Sequence, residues 1–428
     1  MEYFERNLLE EIKKWMDRRE IIAIKGPRQS GKTTLLEMLK EWLIKEKGVD
    51  EEDIVFITFE DRELLEKFEL DPKSFVRRFV GERKVYFMID EAHYCRDIGQ
   101  KLKLLYDLYK NIKFIITGSS SLEITSETAR FLVGRLFSFE LLPLNFHEFL
   151  KVRDKNLARI YIEKNRQIRK FIFEGKDVEI EEKDIFIKEL LEHLNEYLVF
   201  GGYPEVVKSK SEEEKRIVIK NIFNTYIEKD VLAYLQITDI TRFRRLISIL
   251  AFTLGNLISY EKLSSYCDTY FKNIVRLLDI LQQTYVIKLL RPFHRNLVTE
   301  LRKNPKVYFY DYGLRNYAIN NFNDLELRED AGKLAENFVL NQLETEELFI
   351  NFWRTTAKAE VDFVLSDITR IIPIEVKFES FKKPKITRSF HSFLKNYKPK
   401  NALVVTKDFW GEKEIGKTKV KFVPIVYL

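Results

Sequence analysis

Three groups of residues in this 428-residue chain have types and spacings suited to chemistry on phosphate. The first is the run Gly26-Pro27-Arg28-Gln29-Ser30-Gly31-Lys32-Thr33, with Thr34 behind it. Glycines at its ends let successive backbone N–H groups turn toward an anion, and a helix starting at Lys32 adds the positive end of its dipole. There Lys32 meets the β- and γ-phosphates of a nucleoside triphosphate, and the Thr33 hydroxyl ligates Mg²⁺. The second group is Asp90-Glu91, at the end of the apolar run "VYFMI". Asp90 is suited to hold Mg²⁺ through water, and Glu91 to orient and deprotonate the attacking water. The third group is spread along the C-terminal quarter: Glu336, Asp362, Glu375 and Lys377. Asp362 and Glu375 are hard oxygen ligands for Mg²⁺, and Glu336 can complete the metal shell. Lys377 can lower the pKa of an attacking water and stabilise a phosphorane-like transition state.

Further residues could assist. Thr117, Ser119 and Ser120 close another apolar run, "KFIITGSSS", where hydroxyls either meet a γ-phosphate or cap the next helix. Arg135, after Gly134, can supply transition-state charge within its own chain or to a neighbour, or form a surface ion pair; Arg130 is the weaker candidate.

The elements that must position these residues follow from periodicity. Apolar runs predict strands over about 21–25, 54–59, 84–89, 113–117 and 136–142, alternating with helical patterns, so the first third is an α/β domain with a parallel sheet. The stretch 151–190 is rich in both charges and predicts solvated helices inserted in a helical lid. Gly201-Gly202-Tyr203-Pro204 predicts a tight turn in that lid. Residues 241–310 predict three helices and two strands, a winged helix. In its third helix Ile274, Leu277, Leu278 and Leu281 form the core stripe, while Lys272, Arg276 and Gln283 lie on the other side. That helix can enter a DNA groove, with Arg291, Arg295, Arg302 and Lys303 at phosphate, or the module can serve packing alone. The C-terminal quarter predicts a helix over "AGKLAENFVLNQLE", strands over "LFINFWRT", "AEVDFVL" and "IIPIEVKF", a helix over 386–397 and a strand over "NALVVTKDF". Strand alternation puts Glu375 and Lys377 on one face and Glu360 with Asp362 on one face. Glu360 is then either a further metal ligand or an exposed strand charge.

Composition sets limits. The net charge of +6 permits nucleic-acid binding without requiring it. With only two cysteines, Cys95 and Cys267, and no CxxC spacing, neither a disulfide framework nor a zinc site is expected. The start lacks an apolar signal core and no run is long enough to span a bilayer, so a cytoplasmic protein with no membrane partner is expected.

GPRQSGKTTLL, the strand into IDEAHY, FIITGSSS, GRLFSFELLPLNFHEFL and YLVFGGYPEVV, in this order, resemble a family of archaeal and bacterial AAA-type ATPases that carry a nuclease-like C-terminal domain. The last three elements are the particular ones. The resemblance implies ATP and Mg²⁺ as cofactors and nucleotide roles for Gly26, Gly31, Lys32, Thr33, Asp90 and Glu91, with less support for Arg135. Glu336, Asp362 and Glu375-x-Lys377 are similar to the PD-(D/E)xK nuclease pattern, most of all to archaeal Holliday-junction resolvases. Val361 stands where the pattern has Pro, and the following helix has no Gln. The expected architecture is an α/β multidomain chain: a P-loop parallel-sheet ATPase core over 1–144, a helical lid over 145–240, a winged helix over 241–312 and a mixed α/β nuclease-like domain over 313–428. The expected function is Mg-dependent ATP hydrolysis in association with branched or duplex DNA, with self-association if Arg135 acts on a neighbour. The alternative is an ATP-driven switch for protein partners whose nuclease-like domain does not cut.

Overall fold

The computed structural model describes residues 3–118, 131–177, 184–226, 240–293, 303–343 and 348–428. Ser119, Ser120, Arg130, Arg295 and Arg302 lie outside them. The chain forms two compact units. The first comprises Met1–Leu144, Tyr203–Lys208 and Gln283–Tyr285; the second comprises Asn145–Gly202, Ser209–Gln282 and Val286–Leu428.

The first unit is built on a five-stranded parallel sheet: β1 (Ile21–Lys25), β2 (Ile54–Thr58), β3 (Val85–Asp90), β4 (Ile112–Gly118) and β5 (Leu136–Glu140), in the spatial order β2-β3-β4-β1-β5. β1, β3 and β4 are buried along their whole length, which is why they read as unbroken apolar runs. One face packs on Leu35, Leu36, Leu39 and Leu43 of the helix Lys32–Lys45; the other packs on Phe68, Phe75, Leu102 and Leu105. β4 lies between the strand that feeds the glycine loop and the strand that ends in Asp90. Its buried Lys113 donates to the carbonyls of Trp15, Arg18 and Glu20, fixing the segment that leads into β1.

The second unit opens with helices Phe146–Arg153, Lys155–Glu174, Ile187–Phe200 and Glu212–Thr225. The charged helix Lys155–Glu174 is not solvated all round. It buries Leu157, Tyr161, Asn165, Ile168, Phe171 and Ile172, and Asn165 Nδ2 donates to the Tyr427 carbonyl at 3.1 Å. The helix thus holds the C-terminal end of the chain, because an apolar stripe at helical spacing runs through its charged composition. Next come helices Ile240–Phe252, Tyr260–Tyr266 and Phe271–Gln283, then an antiparallel ribbon of β6 (Ile287–Leu290) and β7 (Lys306–Phe309). Ile274, Leu277, Leu278 and Leu281 are buried.

The helix Ala331–Leu343 precedes a six-stranded mixed sheet of β8 (Phe349–Arg354), β9 (Glu360–Ser366), β10 (Ile371–Lys377), β11 (Asn401–Thr406), β12 (Gly411–Ile415) and β13 (Thr418–Pro424), in the order β12-β13-β11-β10-β9-β8. β10 runs antiparallel to β9 and parallel to β11. The helix Arg388–Tyr397 joins β10 to β11. β12 and β13 were not expected from the sequence, because charges occupy most of β12; Glu412 pairs with Lys421 across the two strands at 2.6 Å.

A buried carboxylate ties together two distant parts of this unit. Asp311 accepts hydrogen bonds from the backbone N–H of Gly202 and of Leu314, each at 2.9 Å. Gly201 has φ +80°, and a Cβ there would stand 2.4 Å from the Asp311 carboxylate, so the position requires glycine on both counts. Asn316 adds 2.9 Å bonds to the carbonyls of Leu198 and Val199. Among the described residues, no helix is long and apolar enough to cross a membrane.

Candidate functional site

The glycine loop leaves the C-terminal end of β1 and enters the helix at Lys32. Gln29 (φ 61°) and Gly31 (φ 96°) take left-handed backbone conformations that turn the loop back on itself. A Cβ on Gly26 would meet the Leu141 carbonyl oxygen at 2.1 Å, so only glycine allows that close approach. Lys32 is buried, and its Nζ donates to the carbonyls of Gly26 and Pro27 at 3.1 and 3.0 Å, spanning the loop it would share with phosphates. Ser30 Oγ is buried without a hydrogen-bond partner. Arg6 braces the loop from behind, donating to the carbonyls of Ser30 at 2.8 Å and Leu142 at 2.5 Å. Nothing in the sequence around Arg6 signals this role.

Across β4, the acidic pair is wired to the loop. Thr33 Oγ1 donates to Asp90 Oδ2 at 2.7 Å. The Thr117 hydroxyl donates to the other Asp90 oxygen and accepts from the Glu91 N–H at 3.0 Å, so one side chain on β4 fixes both acids. Glu91 has φ 50°, an uncommon conformation for this residue type that directs its carboxylate back toward the loop. Lys32 Nζ lies 4.0 Å from Glu91 Oε1, and His93 Nδ1 lies 3.0 Å from Oε2. Burial pushes the Glu91 carboxyl up, but His93, Lys32 and Arg28 outweigh it and hold the carboxyl below its ordinary value. Arg28 also donates to the Tyr94 hydroxyl at 3.2 Å. The hydroxyl of Thr33 and the carboxylate of Asp90, side by side, fit a Mg²⁺ ion, a hard cation that keeps waters and takes its remaining ligands from phosphate.

A cavity of about 290 Å³ opens beside the loop, lined by Phe4, Arg6, Gly31, Thr34, Met38 and Pro204 among others. It brings Thr34 and the Pro of the Gly-Gly-Tyr-Pro motif together.

Arg135 stands elsewhere. Its carbonyl accepts from the N–H of Ile21, at the start of β1, whereas the glycine loop leaves the far end of that strand. Five residues of strand separate the two, roughly 16 Å. Its guanidinium faces Asp107 at 3.2 Å.

In the second unit, Glu336, Asp362, Glu375 and Lys377 influence one another electrostatically. Asp362 accepts from the Val376 N–H at 2.8 Å. Glu375 Oε1 accepts from the Thr387 hydroxyl at 2.7 Å and lies 3.4 Å from Lys377 Nζ; its Oε2 is buried with no hydrogen-bond partner. Burial raises the Glu375 carboxyl above its ordinary value, against Lys377 and Thr387, and the Asp362 charge adds to the rise. Glu336 is pushed up to about 7, first by burial and then by Asp362, although Lys333 Nζ lies 2.6 Å away. Burial pulls Lys377 down, yet Glu375 and Asp362 keep it above its ordinary value. Among the described residues, no three His, Cys, Asp or Glu side chains converge closely enough to hold a metal ion. The unpartnered Glu375 oxygen has the donor chemistry for a divalent cation; the set as arranged does not form a cage. Glu360 forms ion pairs with the buried Lys306 at 2.6 Å and with Arg354 at 2.9 Å, and Lys306 also acts on Glu336.

Residues 18–150 match the family model described as an AAA domain; residues 191–325 and 331–428 match a Domain of unknown function (DUF8612) and a Domain of unknown function (DUF4143). The chain is similar along its length to an uncharacterized protein of Haemophilus influenzae, 24% identical over 97% of this chain and 96% of that one. An uncharacterized protein of Methanocaldococcus jannaschii is 27% identical over 95% of this chain and 87% of its own. Domain III of the Thermotoga maritima replication initiation protein DnaA aligns with 51% of this chain and 94% of its own, at 16% identity and a TM-score of 0.28, too low to bear on the fold. With its parallel sheet and glycine loop, the first unit is a P-loop α/β core similar to an AAA domain.

Proposed function

We propose that this chain hydrolyses Mg-ATP in its first unit and works on DNA through its second. The connected set Thr33, Asp90, Thr117 and Glu91 carries the first half of that reading: one hydroxyl positions a metal-binding carboxylate and the adjacent base, at the strand ends where α/β sheets bind ligands. Lys32 and the N–H groups from Gly26 to Thr34 hold the phosphates, and the base enters the cavity beside Phe4 and Pro204. Thr33 and Asp90 would hold Mg²⁺, which when bound would neutralise charge on the phosphoryl oxygens. Glu91, ionised and held between Lys32 and His93, orients water and accepts its proton. Arg135 is too far along the sheet to serve its own nucleotide and pairs with Asp107; a catalytic role is open to it only on the nucleotide of a second copy.

DNA association is supported by charge. Between residues 240 and 293 there are eight Lys and Arg against three Asp and Glu, most of the chain's net +6. The three helices and ribbon of this segment are read as a winged helix. The C-terminal sheet is read as nuclease-like from its strand order and from Glu375 and Lys377 on one strand face; incubation with four-way junctions in Mg²⁺ and Mn²⁺ decides whether it cuts. Phosphate release from ATP tests the ATPase reading. Wild type is expected to be active with Mg²⁺ and silent in EDTA, and Lys32→Ala to lose about 10²–10³-fold. A wild type that neither binds nor turns over ATP contradicts it.

A further inference from the structure

The turn that joins helices Tyr260–Tyr266 and Phe271–Gln283 exposes three aromatic side chains within six residues. Tyr266 is 57% exposed, Tyr270 86% and Phe271 49%. They are not the core stripe of either helix: Leu263 and Ile274 are buried beside them. Isolated surface aromatics need no explanation, but an adjoining set on one turn does.

The turn itself is well fixed. Cys267 is buried and its N–H bonds to the Leu263 carbonyl at 3.0 Å. Asp268 takes a left-handed conformation (φ 46°) that sends the chain into the next helix. Asn273 Nδ2 donates to Thr269 Oγ1 at 2.9 Å, and the Ile274 N–H bonds to the Tyr270 carbonyl at 3.2 Å. Phe271 also leans on Tyr260, ring centroids 5.7 Å apart. Rings held on a rigid backbone lose little freedom when something stacks on them. Exposed Lys262, Lys272 and Arg276 lie on the same two helices.

We propose that this turn is a stacking platform for unpaired nucleobases, with Tyr266, Tyr270 and Phe271 taking base faces and Lys262, Lys272 and Arg276 taking the phosphates between them. The inference rests on the DNA reading above and narrows it to single-stranded or junction DNA. Two physical arguments favour unpaired bases over duplex. Base-edge readout in a major groove uses polar side chains that make paired hydrogen bonds, and rings offer none. A ring can stack within duplex only after unstacking a base step, which costs several kcal/mol, whereas an unpaired base presents its face at no such cost. The excess of basic residues in the segment supplies the backbone attraction that stacking alone lacks.

Fluorescence anisotropy of the full chain tests this with labelled oligo-dT, a duplex of equal length and a four-way junction, each over a salt series. Tyr270→Ala is expected to weaken oligo-dT binding about tenfold, with Tyr266→Ala/Tyr270→Ala weaker still and Tyr270→Phe close to wild type. Duplex affinity and the salt slope stay unchanged in these variants, while Lys272→Ala/Arg276→Ala lowers the slope by about 1.4 on single strands. The residues are exposed, so melting temperature and ATP turnover remain at wild-type values in the ring variants. Equal losses on duplex and oligo-dT, or no loss in Tyr266→Ala/Tyr270→Ala, overturn the platform and leave DNA association standing. Absence of binding to every DNA overturns both. A concentration-dependent dimer that Tyr270→Ala dissolves means the rings are covered by a second copy, and overturns the platform as well.

Discussion

Glu91 and Glu375 are both buried glutamates, 9% and 3% exposed, yet their carboxyls move in opposite directions. Glu91 is surrounded by His93, Lys32 and Arg28 and lies below the ordinary carboxylate range. Glu375 has Lys377 and the Thr387 hydroxyl on one oxygen and nothing on the other, shares its surroundings with Asp362, and lies above it. Burial acts the same way on both; the count of nearby positive charge decides the outcome. The Glu91 carboxylate, proposed above as the base, is therefore favoured in its ionised form without a ligand. At Glu375, Lys377 alone does not offset burial and the Asp362 charge.

Asp311 is a third buried acid, with backbone N–H partners and no cation beside it among the described residues. Burial pushes it up to about 6 from 3.8 despite bonds from Gly202 and Leu314. The fold then binds this proton more tightly than the unfolded chain does. Its contribution is fully present below about pH 4 and falls by about 3 kcal/mol as pH rises through 4 to 6, with no further change above. Asp311→Asn should remove that slope. Urea midpoints at pH 4 and pH 7 check it; an unchanged difference between the two pH values would mean that the carboxyl is already paired with a cation.

The next largest effect concerns the C-terminal centre. If the unpartnered Glu375 oxygen takes a divalent cation, Mn²⁺ or Mg²⁺ should stabilise the fold by about 2.7 kcal/mol at a hundred times its Kd. Glu375→Gln should abolish that stabilisation while leaving the metal-free protein as stable as wild type or more so. Calorimetric melting with and without cation distinguishes this from ATP-linked Mg²⁺ binding, provided Asp90→Asn is measured alongside. No difference between wild type and Glu375→Gln would mean that the Glu375 carboxylate holds no cation.

Arg135→Ala carries the smallest expected cost in stability, under about 1 kcal/mol, because its ion pair with Asp107 is partly exposed. Turnover should nevertheless fall. Mixing the variant with Lys32→Ala chains should restore part of the activity if each copy supplies what the other lacks. Failure of the mixture leaves Arg135 with a structural role.

Much of the first unit was legible in the sequence, because a parallel strand buried on both faces writes itself as a plain apolar run and the glycine loop has fixed spacing. The strand order was not, and it decides two roles. β4 beside β3 makes Thr117 the bridge between Asp90 and Glu91, a pairing that no local signal carries. The parallel direction of β5 puts Arg135 at the wrong end of the sheet for its own loop. Arg6 braces Ser30 and Leu142 across 24 and 136 residues, and nothing in its neighbourhood marks it. In the second unit the acidic and lysine positions could be read from strand alternation, whereas the Glu360–Lys306 pair could not, since β7 and β9 are distant in sequence. The Gly201-Gly202 turn was visible as a turn, but its partner Asp311 was not. The charged helix Lys155–Glu174 shows how a composition-based reading of solvated helices hides a regular apolar stripe.

Glu91 is proposed as the ionised base of the ATPase site. Single-turnover phosphate release and labelled-ATP binding, measured together on wild type and Glu91→Gln with Mg²⁺, test it most directly. Glu91→Gln is expected to bind ATP as tightly as wild type and to release phosphate about 10²–10⁴-fold more slowly. Turnover that persists unchanged in Glu91→Gln would contradict it.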